Sequence, residues 1–233
     1  MKKLFSISII SALAILPGFS PKFELKKEKT VFQNSNLEAQ VIGGEYLTEI
    51  EKQIVEQINL ARMNPNAFIS VLEEMRPHFK GKMLELPGEY KYLTREGVSA
   101  LDDAIRYLKS SRPTIAMTVA KGLSKGAKEH VEDQGSNPAI SFTGSDGSTP
   151  DQRMSRYGTW KEPLGENIAY GALTAKGVVA LFIVSDGFPK RDLRVNLFNP
   201  KYRKMGVACG KHTHYENYCV VDFSGNYTEK IPK

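Results

Sequence analysis

The sequence predicts an α+β fold, a sandwich of helices packed against short strands. Amphipathic helical patterns occupy the first half of the chain, alternating segments typical of strands close it, and further helices lie between them. This order favours an α+β sandwich over a doubly wound parallel sheet. The 233 residues fit one domain with an N-terminal extension, and the sequence contains no internal repeat or low-complexity segment.

The N-terminus carries a secretory signal pattern. Two lysines precede an apolar run from Leu4 to Leu16, which is too short to span a bilayer. We therefore expect residues 1–20 to be a signal peptide, with a retained N-terminal anchor as the alternative. Residues 21–44 are expected to be a charged linker, and residues 45–228 the folded domain, without a further transmembrane segment.

Composition narrows the class of partner. Removal of residues 1–20 takes two lysines with it and lowers the formal net charge from +6 to +4. Much of the remaining excess lies in the lysines of the linker, so no nucleic-acid partner is expected. A moderately basic exported protein is better suited to an anionic membrane surface or a cell-wall polymer.

Two amphipathic helices open the domain. The first is predicted to begin at a capping box formed by Thr48 and Glu51. The apolar residues at helical spacing are Leu47, Ile50, Ile54, Ile58 and Ala61. Asn64 is predicted to cap a second helix that has Pro65 at its first position and continues to Met75.

Glycine and proline punctuate the middle of the chain. Residues 76–98 are predicted to be loop with a strand or hairpin around Lys82–Tyr92. Ser99 is expected to cap a short helix. A further helix is predicted from Thr118 to a stop at Gly135.

The second half alternates between turns, helices and short strands. Residues 144–150 are rich in turn formers, and a short helix is predicted from Pro150 to about Tyr157. Asn167–Tyr170 is strand-like, and Thr174–Ser185 has a helical pattern.

Two consecutive strands are predicted at the end of the domain, over Met205–Cys209 and Tyr218–Phe223. In a hairpin centred near His214, Cys209 and Cys219 would face each other. An even cysteine count in an exported protein favours a disulfide between them, with a pair of buried free cysteines as the alternative.

Several short motifs follow one another in a fixed order from about Ile50 to Gly225. They are Gln57-Ile58-Asn59-Leu60-Ala61-Arg62, Thr143-Gly144-Ser145-Asp146-Gly147-Ser148, Gly165-Glu166-Asn167-Ile168-Ala169, Asn196-Leu197-Phe198-Asn199-Pro200, Gly206-Val207-Ala208-Cys209-Gly210 and Cys219-Val220-Val221-Asp222-Phe223. In their order and spacing the chain resembles the CAP superfamily of cysteine-rich secretory proteins, antigen five and pathogenesis-related one, also called the SCP domain.

The resemblance implies a three-layer α-β-α sandwich of CAP/SCP type and an exported protein. It also implies a central cleft that in many members holds two histidines and one or two acidic residues. Functions in the superfamily include binding of sterols and other lipids, antimicrobial or immune roles, and disputed hydrolase activity.

The positions expected at that cleft depart from the superfamily pattern. Phe142 and Leu193 stand where the two histidines would be, whereas the acidic residue is kept as Glu166. Phenylalanine and leucine have no lone pairs, so we expect no metal, no cofactor and no general base there. The candidate cleft residues are Phe142, Ser145, Asp146, Glu166, Asn167 and Leu193. Two apolar replacements suit either an apolar ligand or a merely filled core, and the filled core is the preferred prediction.

Each polar candidate also has a structural interpretation. Glu166 would cap backbone amides of the turn at residues 143–148. Ser145 and Asp146 are similar to a hydrolase nucleophile and its orienting group, but they lack the spacing of a nucleophile elbow.

The histidines are predicted to be structural. His130 is expected to be packed or hydrogen-bonded near the end of a helix. His212 and His214 have a spacing that would allow weak metal binding, but a solvated loop is the preferred prediction.

The sequence thus predicts an exported protein, secreted, periplasmic or at the cell surface, that is a non-enzymatic binding or interaction module. Its partner would be a protein, a lipid or a cell-surface ligand. Lipid or sterol binding in an apolar cleft is one alternative function, and hydrolysis of an unknown substrate is another.

Overall fold

A four-stranded sheet with helices on both faces forms the centre of the molecule. The structure, a computed structural model, describes residues 44–87, 91–137 and 140–231. The α-helices are α1 (Glu49–Met63), α2 (Ala67–Met75), α3 (Val98–Ser110), α4 (Lys121–Gln134), α5 (Pro150–Tyr157), α6 (Ala175–Val184) and α7 (Asp192–Phe198). The strands are β1 (Phe79–Lys80), β2 (Met83–Glu85), β3 (Lys91–Leu93), β4 (Thr118–Val119), β5 (Gly158–Tyr170), β6 (Lys204–His212) and β7 (Glu216–Glu229).

The strands form two sheets. The main sheet has the order β4-β6-β7-β5, in which β4 lies parallel to β6 and the other pairs are antiparallel. The smaller sheet has the order β1-β2-β3 and is antiparallel throughout.

Alternating residues of β7 separate the core into two sides. Val221 and Phe223 face the larger apolar cluster, which includes buried residues of α1, α3, α6 and α7. Tyr218 and Val220 face a smaller cluster that includes Ala127 of α4. Side chains of a strand alternate between faces, so the central sheet separates two helical layers. The predicted α+β fold with three layers, α-β-α, is confirmed.

Helix α1 begins as predicted and anchors the segments around it. The backbone N–H of Thr48 donates to Glu51 Oε2 at 2.7 Å, within the predicted capping box. Asn59 then exchanges two hydrogen bonds, both 2.9 Å long, with the backbone of Met117. Arg62 lies at the end of the helix, and both it and Asn59 are fully buried. The motif Gln57–Arg62 therefore contains buried polar residues that join α1 to other segments of the fold.

Three predicted helix starts are wrong by two or three residues. Thr118 and Val119 form strand β4 because they pair with Lys204 and Met205, so α4 begins only at Lys121. β-Branched residues are well suited to such a pairing. The second helix has Asn66 as its N-cap rather than Asn64, and α3 has Gly97 rather than Ser99.

The later elements are longer than predicted. Strand β5 begins at Gly158, nine residues before the predicted start at Asn167. The last two strands also extend further, to His212 and Glu229, and helix α7 was not predicted. By contrast, the helix predicted at Thr174–Ser185 is confirmed, since these residues are the N-cap and C-cap of α6.

The predicted hairpin around residues 82–92 is a small three-stranded sheet, of which residues 88–90 are not described. The predicted signal peptide and all but the last residue of the predicted linker lie outside the described residues. Among the residues that are described, no helix is both long and apolar enough to cross a membrane.

Candidate functional site

An apolar cleft opens beside the C-terminal half of β5. Its walls come from the small sheet, the ends of α2 and α6, the segment before the 143–148 turn and the start of α7. The cavity has a volume of about 100 Å³. Its aromatic lining residues are Phe79, Tyr92, Phe142, Tyr170 and Phe188. Phe142 and Leu193, the two residues at the predicted histidine positions, both line it.

Hydrogen bonds to their backbone carbonyls fix the positions of both residues. The carbonyl of Leu193 accepts from Nδ2 of Asn167 at 2.8 Å, and Oδ1 of Asn167 accepts from Asn196 at 3.0 Å. The carbonyl of Phe142 accepts from Nη2 of Arg153 at 3.1 Å. Asn167 is thus a buried link between β5 and α7, and Arg153 fixes the segment that contains Phe142.

Glu166 is not among the residues that line the cleft. It lies on β5 directly opposite Asp222 of β7, and it is buried against α5. Arg153 Nη2 donates to both of its carboxylate oxygens, at 3.0 and 2.8 Å, and each side chain of this ion pair is only 2% exposed. Strand alternation explains the placement, because Asn167 points toward α7 and its neighbour Glu166 points to the other face.

Arg153 connects the turn at residues 143–148 to Glu166. Nη1 of Arg153 donates to the carbonyl of Ser148 at 2.8 Å. The expectation that Glu166 caps amides of this turn is therefore replaced by a different arrangement, in which a buried guanidinium binds turn carbonyls and Glu166 neutralises it.

Ser145 and Asp146 lie on the outer side of this turn. The backbone N–H of Ser145 donates to Asp133 at 2.8 Å, and its hydroxyl donates to the same carboxylate. The side chain of Ser148, its N–H at 2.8 Å and the ion pair with Arg156 at 2.9 Å together hold the pKa of the Asp146 carboxyl below its usual value. The two residues stabilise a surface turn, and the hydroxyl of Ser145 is engaged by a carboxylate rather than an imidazole.

A buried group of titratable side chains surrounds Glu166. Asp222 is fully buried, and burial, followed by the charge and hydrogen bond of Glu166, raises the pKa of its carboxyl well above the usual value. His130 is also fully buried, and burial lowers the pKa of its imidazole. Its Nε2 lies 2.8 Å from the carbonyl of Ser141, which agrees with the structural role predicted for it.

The structure places His212 differently from its prediction. It is the last residue of β6 and is buried, with Nε2 at 3.0 Å from the carbonyl of Asn137 and Nδ1 accepting from the N–H of His214. Of the two histidines, it is His214 that lies exposed in the turn. Across the described ranges, no group of three or more His, Cys, Asp or Glu side chains is arranged to hold a metal ion.

Two residues of the buried group escaped sequence reasoning. Arg153 follows Pro150 by three residues on a short helix, and Asp222 interrupts the apolar run Val220-Val221-Asp222-Phe223. A charged residue within an apolar strand is the signal that could have found Asp222, because such a residue needs a buried partner.

A comparison with family models identifies the family of the chain. The model of the cysteine-rich secretory protein family, CAP, matches residues 96–223, and the chain belongs to this family. No curated protein matches the chain.

Solved structures give distant similarities. An outer surface protein of Borrelia burgdorferi is 20% identical, with a TM-score of 0.40 over 73% of this chain and 96% of that one. An extracellular protein with an SCP domain from Bacillus anthracis is 19% identical, with a TM-score of 0.38 over 52% of this chain and 37% of that one. A cysteine-rich secretory protein of Staphylococcus aureus is 15% identical, with a TM-score of 0.33 over 70% and 40% respectively.

Proposed function

We propose that this CAP-family protein is exported and acts as a non-enzymatic binding module whose cleft receives an apolar group. One observation carries the proposal: Phe142 and Leu193 line the same cleft, while Glu166 is turned away from it and neutralised by Arg153. The lining of the cleft is mostly apolar and includes no imidazole for acid–base chemistry. The carboxylate among its lining residues, Asp186, accepts from the backbone N–H groups of Arg95 and Glu96 at 2.6 and 2.9 Å.

The size of the cleft favours insertion of part of a ligand. Its volume of about 100 Å³ is smaller than the roughly 300–1,000 Å³ of sites that enclose a whole small molecule. A second pocket of about 240 Å³ lies beside the cleft and has four lining residues in common with it: Met75, Leu84, Tyr92 and Leu181. An acyl chain, the edge of a sterol, or an apolar side chain of a partner protein would suit such a site.

Export is supported by the N-terminal signal pattern and by the disulfide between Cys209 and Cys219. Disulfides persist in oxidising compartments and are rare in reducing ones. A surface location outside the cytoplasm would bring the cleft into contact with membrane lipid or with cell-surface partners.

The test begins with native mass spectrometry of the protein purified from its own host, in which a retained apolar ligand is expected. Binding of labelled fatty acid and cholesterol is then compared between the wild type and Ala169→Leu, which fills the cleft from β5. Val195→Leu enlarges an apolar side chain of α7 that is 54% exposed and does not line the cleft, and it is the control.

Loss of binding in Ala169→Leu but not in Val195→Leu, with both variants folded, would support the cleft as the site. Absence of any retained ligand together with no binding of either probe would contradict an apolar-ligand function.

A further inference from the structure

The charges behind the cleft do not balance without an additional proton. Glu166 and Asp222 contribute two carboxyl groups, and Arg153 contributes one guanidinium. His130, the nearby imidazole, is held in its neutral form by burial. Two ionised carboxylates with one guanidinium would leave a net negative charge in a water-poor interior, which is strongly unfavourable.

The oxygens of Asp222 that lack a partner indicate where the proton lies. Asp222 is fully buried and directly opposite Glu166, yet neither of its oxygens receives an N–H or O–H from the described protein. Glu166 already accepts twice from Arg153. A protonated Asp222 would donate to the Glu166 carboxylate, which keeps its two hydrogen bonds from Arg153, so that one carboxyl supplies the donor that the pair lacks.

The strand register makes this pairing unavoidable in the folded state. Glu166 and Asp222 are directly opposite each other on antiparallel strands β5 and β7. Cross-strand neighbours have Cβ atoms only about 4.5–5.5 Å apart, and like charges at such positions repel. In the unfolded chain the two carboxyls separate and ionise independently.

We propose that Glu166 and Asp222 form a buried carboxylic acid–carboxylate pair that takes up one proton when the protein folds. This makes the joining of β5 to β7 a proton-linked step. The proposal does not depend on a ligand in the cleft. The pair is nevertheless connected to the cleft, because the Arg153 that binds Glu166 also donates to the carbonyls of Phe142 and Ser148.

Five other titratable groups, from four elements, surround the pair, and apart from Arg153, which is counted above, they supply no charge near neutral pH. They are His130 of α4, Arg153 of α5, Tyr170 of β5, and Tyr218 and Tyr227 of β7. Burial raises the pKa of each of these tyrosines, so all three stay neutral.

The sign of the pH effect follows from the direction of the Asp222 shift. Its folded pKa lies above the unfolded value near 3.8, so the folded state binds one more proton and loses stability as pH rises between these two values. One proton corresponds to a tenfold fall in the folding equilibrium constant per pH unit. The buried His130 and His212 act oppositely up to about pH 6.5, because their folded pKa values are lowered.

Chemical denaturation of the purified protein between about pH 5 and pH 9 tests this linkage. The ratio of wild-type to Asp222→Asn folding constants cancels the histidine contributions, and we expect it to fall tenfold per pH unit until Asp222 ionises. Asp102→Asn replaces a surface carboxylate that pairs with Arg76 at 2.6 Å and controls for the change from acid to amide. A ratio that does not vary with pH would overturn the proposal.

Infrared spectroscopy gives a readout that does not need a stable variant. The folded wild type should show the carbonyl stretch of a protonated carboxylic acid at neutral pH, and unfolding should remove it. Glu166→Gln should also remove it, because Asp222 would then be the only carboxylate facing Arg153. If the wild type lacks the band, the pair does not hold the proton.

A competing location for the proton is His130. In that case His130→Gln would abolish the pH dependence and Asp222→Asn would leave it. Our proposal requires the opposite pattern.

Discussion

Two buried arginines show how single residues hold this fold together. Arg153 is neutralised by Glu166, but the hydrogen bonds of Arg62 go to backbone carbonyls, those of Ile115, Leu197, Asn199 and Tyr202. Burial lowers the pKa of Arg62 to about 10, so it remains charged at neutral pH. Its charge is balanced by carbonyl dipoles, including those at the C-terminal end of α7.

Replacement of Arg62 should therefore be severe. Arg62→Met keeps the apolar stem but leaves several carbonyls without a donor, and each unsatisfied buried group costs about 1–3 kcal/mol. We expect the free energy of unfolding to fall by at least about 3 kcal/mol in urea denaturation. Arg106→Met, at a side chain that is 73% exposed, should change it by less than about 0.5 kcal/mol. Equal effects of the two changes would show that the carbonyl contacts of Arg62 contribute little.

Leu193 provides a test of the cleft at the same scale. The residue is only 7% exposed, so Leu193→Ala should lower the free energy of unfolding by roughly 2–5 kcal/mol, through lost burial and an enlarged cavity. Val195→Ala, on the outer face of the same helix, should cost much less. A small effect at Leu193 would mean that this wall of the cleft is looser than the structure describes.

At the scale of elements, the β6–β7 hairpin is held by a disulfide and by a hydrogen bond to helix α1. Cys209 and Cys219 are register partners, with Cα atoms 4.1 Å apart, and they form a disulfide. The N–H of Cys209 also donates to Glu51 at 2.8 Å, which joins the hairpin to the capping box of α1. One buried carboxylate thus stabilises both the start of a helix and the position of a strand.

Removal of the disulfide should weaken the hairpin measurably. A sequence separation of 10 corresponds to about 2–3 kcal/mol on the chain-entropy model. The double variant Cys209→Ala/Cys219→Ala should lose about that much in denaturant titrations without reductant, and dithiothreitol should lower wild-type stability but not that of the variant. Peptide mapping of the exported protein that recovers two free thiols would contradict the disulfide itself.

Local patterns predicted some elements better than others, for physical reasons. Thr174 and Ser185 delimit α6 because its caps and apolar face lie within one segment. Strand β4 has only two residues and exists because β6 pairs with it, so no local signal separates Thr118 from the following helix. Helix α7 is likewise set by long-range bonds, such as that from Arg194 Nη1 to Asp103 at 2.9 Å.

At the scale of the whole molecule, only part of the site was predictable. Phe142 and Leu193 were chosen from their positions relative to the family motifs, and both line the cleft. The direction of the Glu166 side chain could not be predicted in this way, because it depends on strand alternation and on Arg153. The motif residues Ser145 and Asp146 proved to stabilise a turn.

At acid pH the stability of the whole protein should decrease as the pH falls, which is opposite in sign to the effect of Asp222. Burial alone would raise the pKa of Asp103, but Arg194 and Arg191 outweigh it and hold the pKa below 3.8. Such a group adds stability above its unfolded pKa, and this stability is lost as pH falls through the folded value. Asp103→Asn should therefore destabilise the protein at neutral pH and flatten the decline below about pH 4.

Thermal unfolding midpoints measured between about pH 2 and pH 6 would show this flattening directly. Asp102→Asn, at the neighbouring position of α3, serves as the amide control. The magnitude should be modest, because the Asp103 side chain is 36% exposed and water screens its ion pairs. If Asp103→Asn kept the full acid decline, the network that joins α3 to α7 would not be the source of acid sensitivity, and Glu96, whose pKa is lowered by its hydrogen bond with Arg191, would be the next carboxylate to replace.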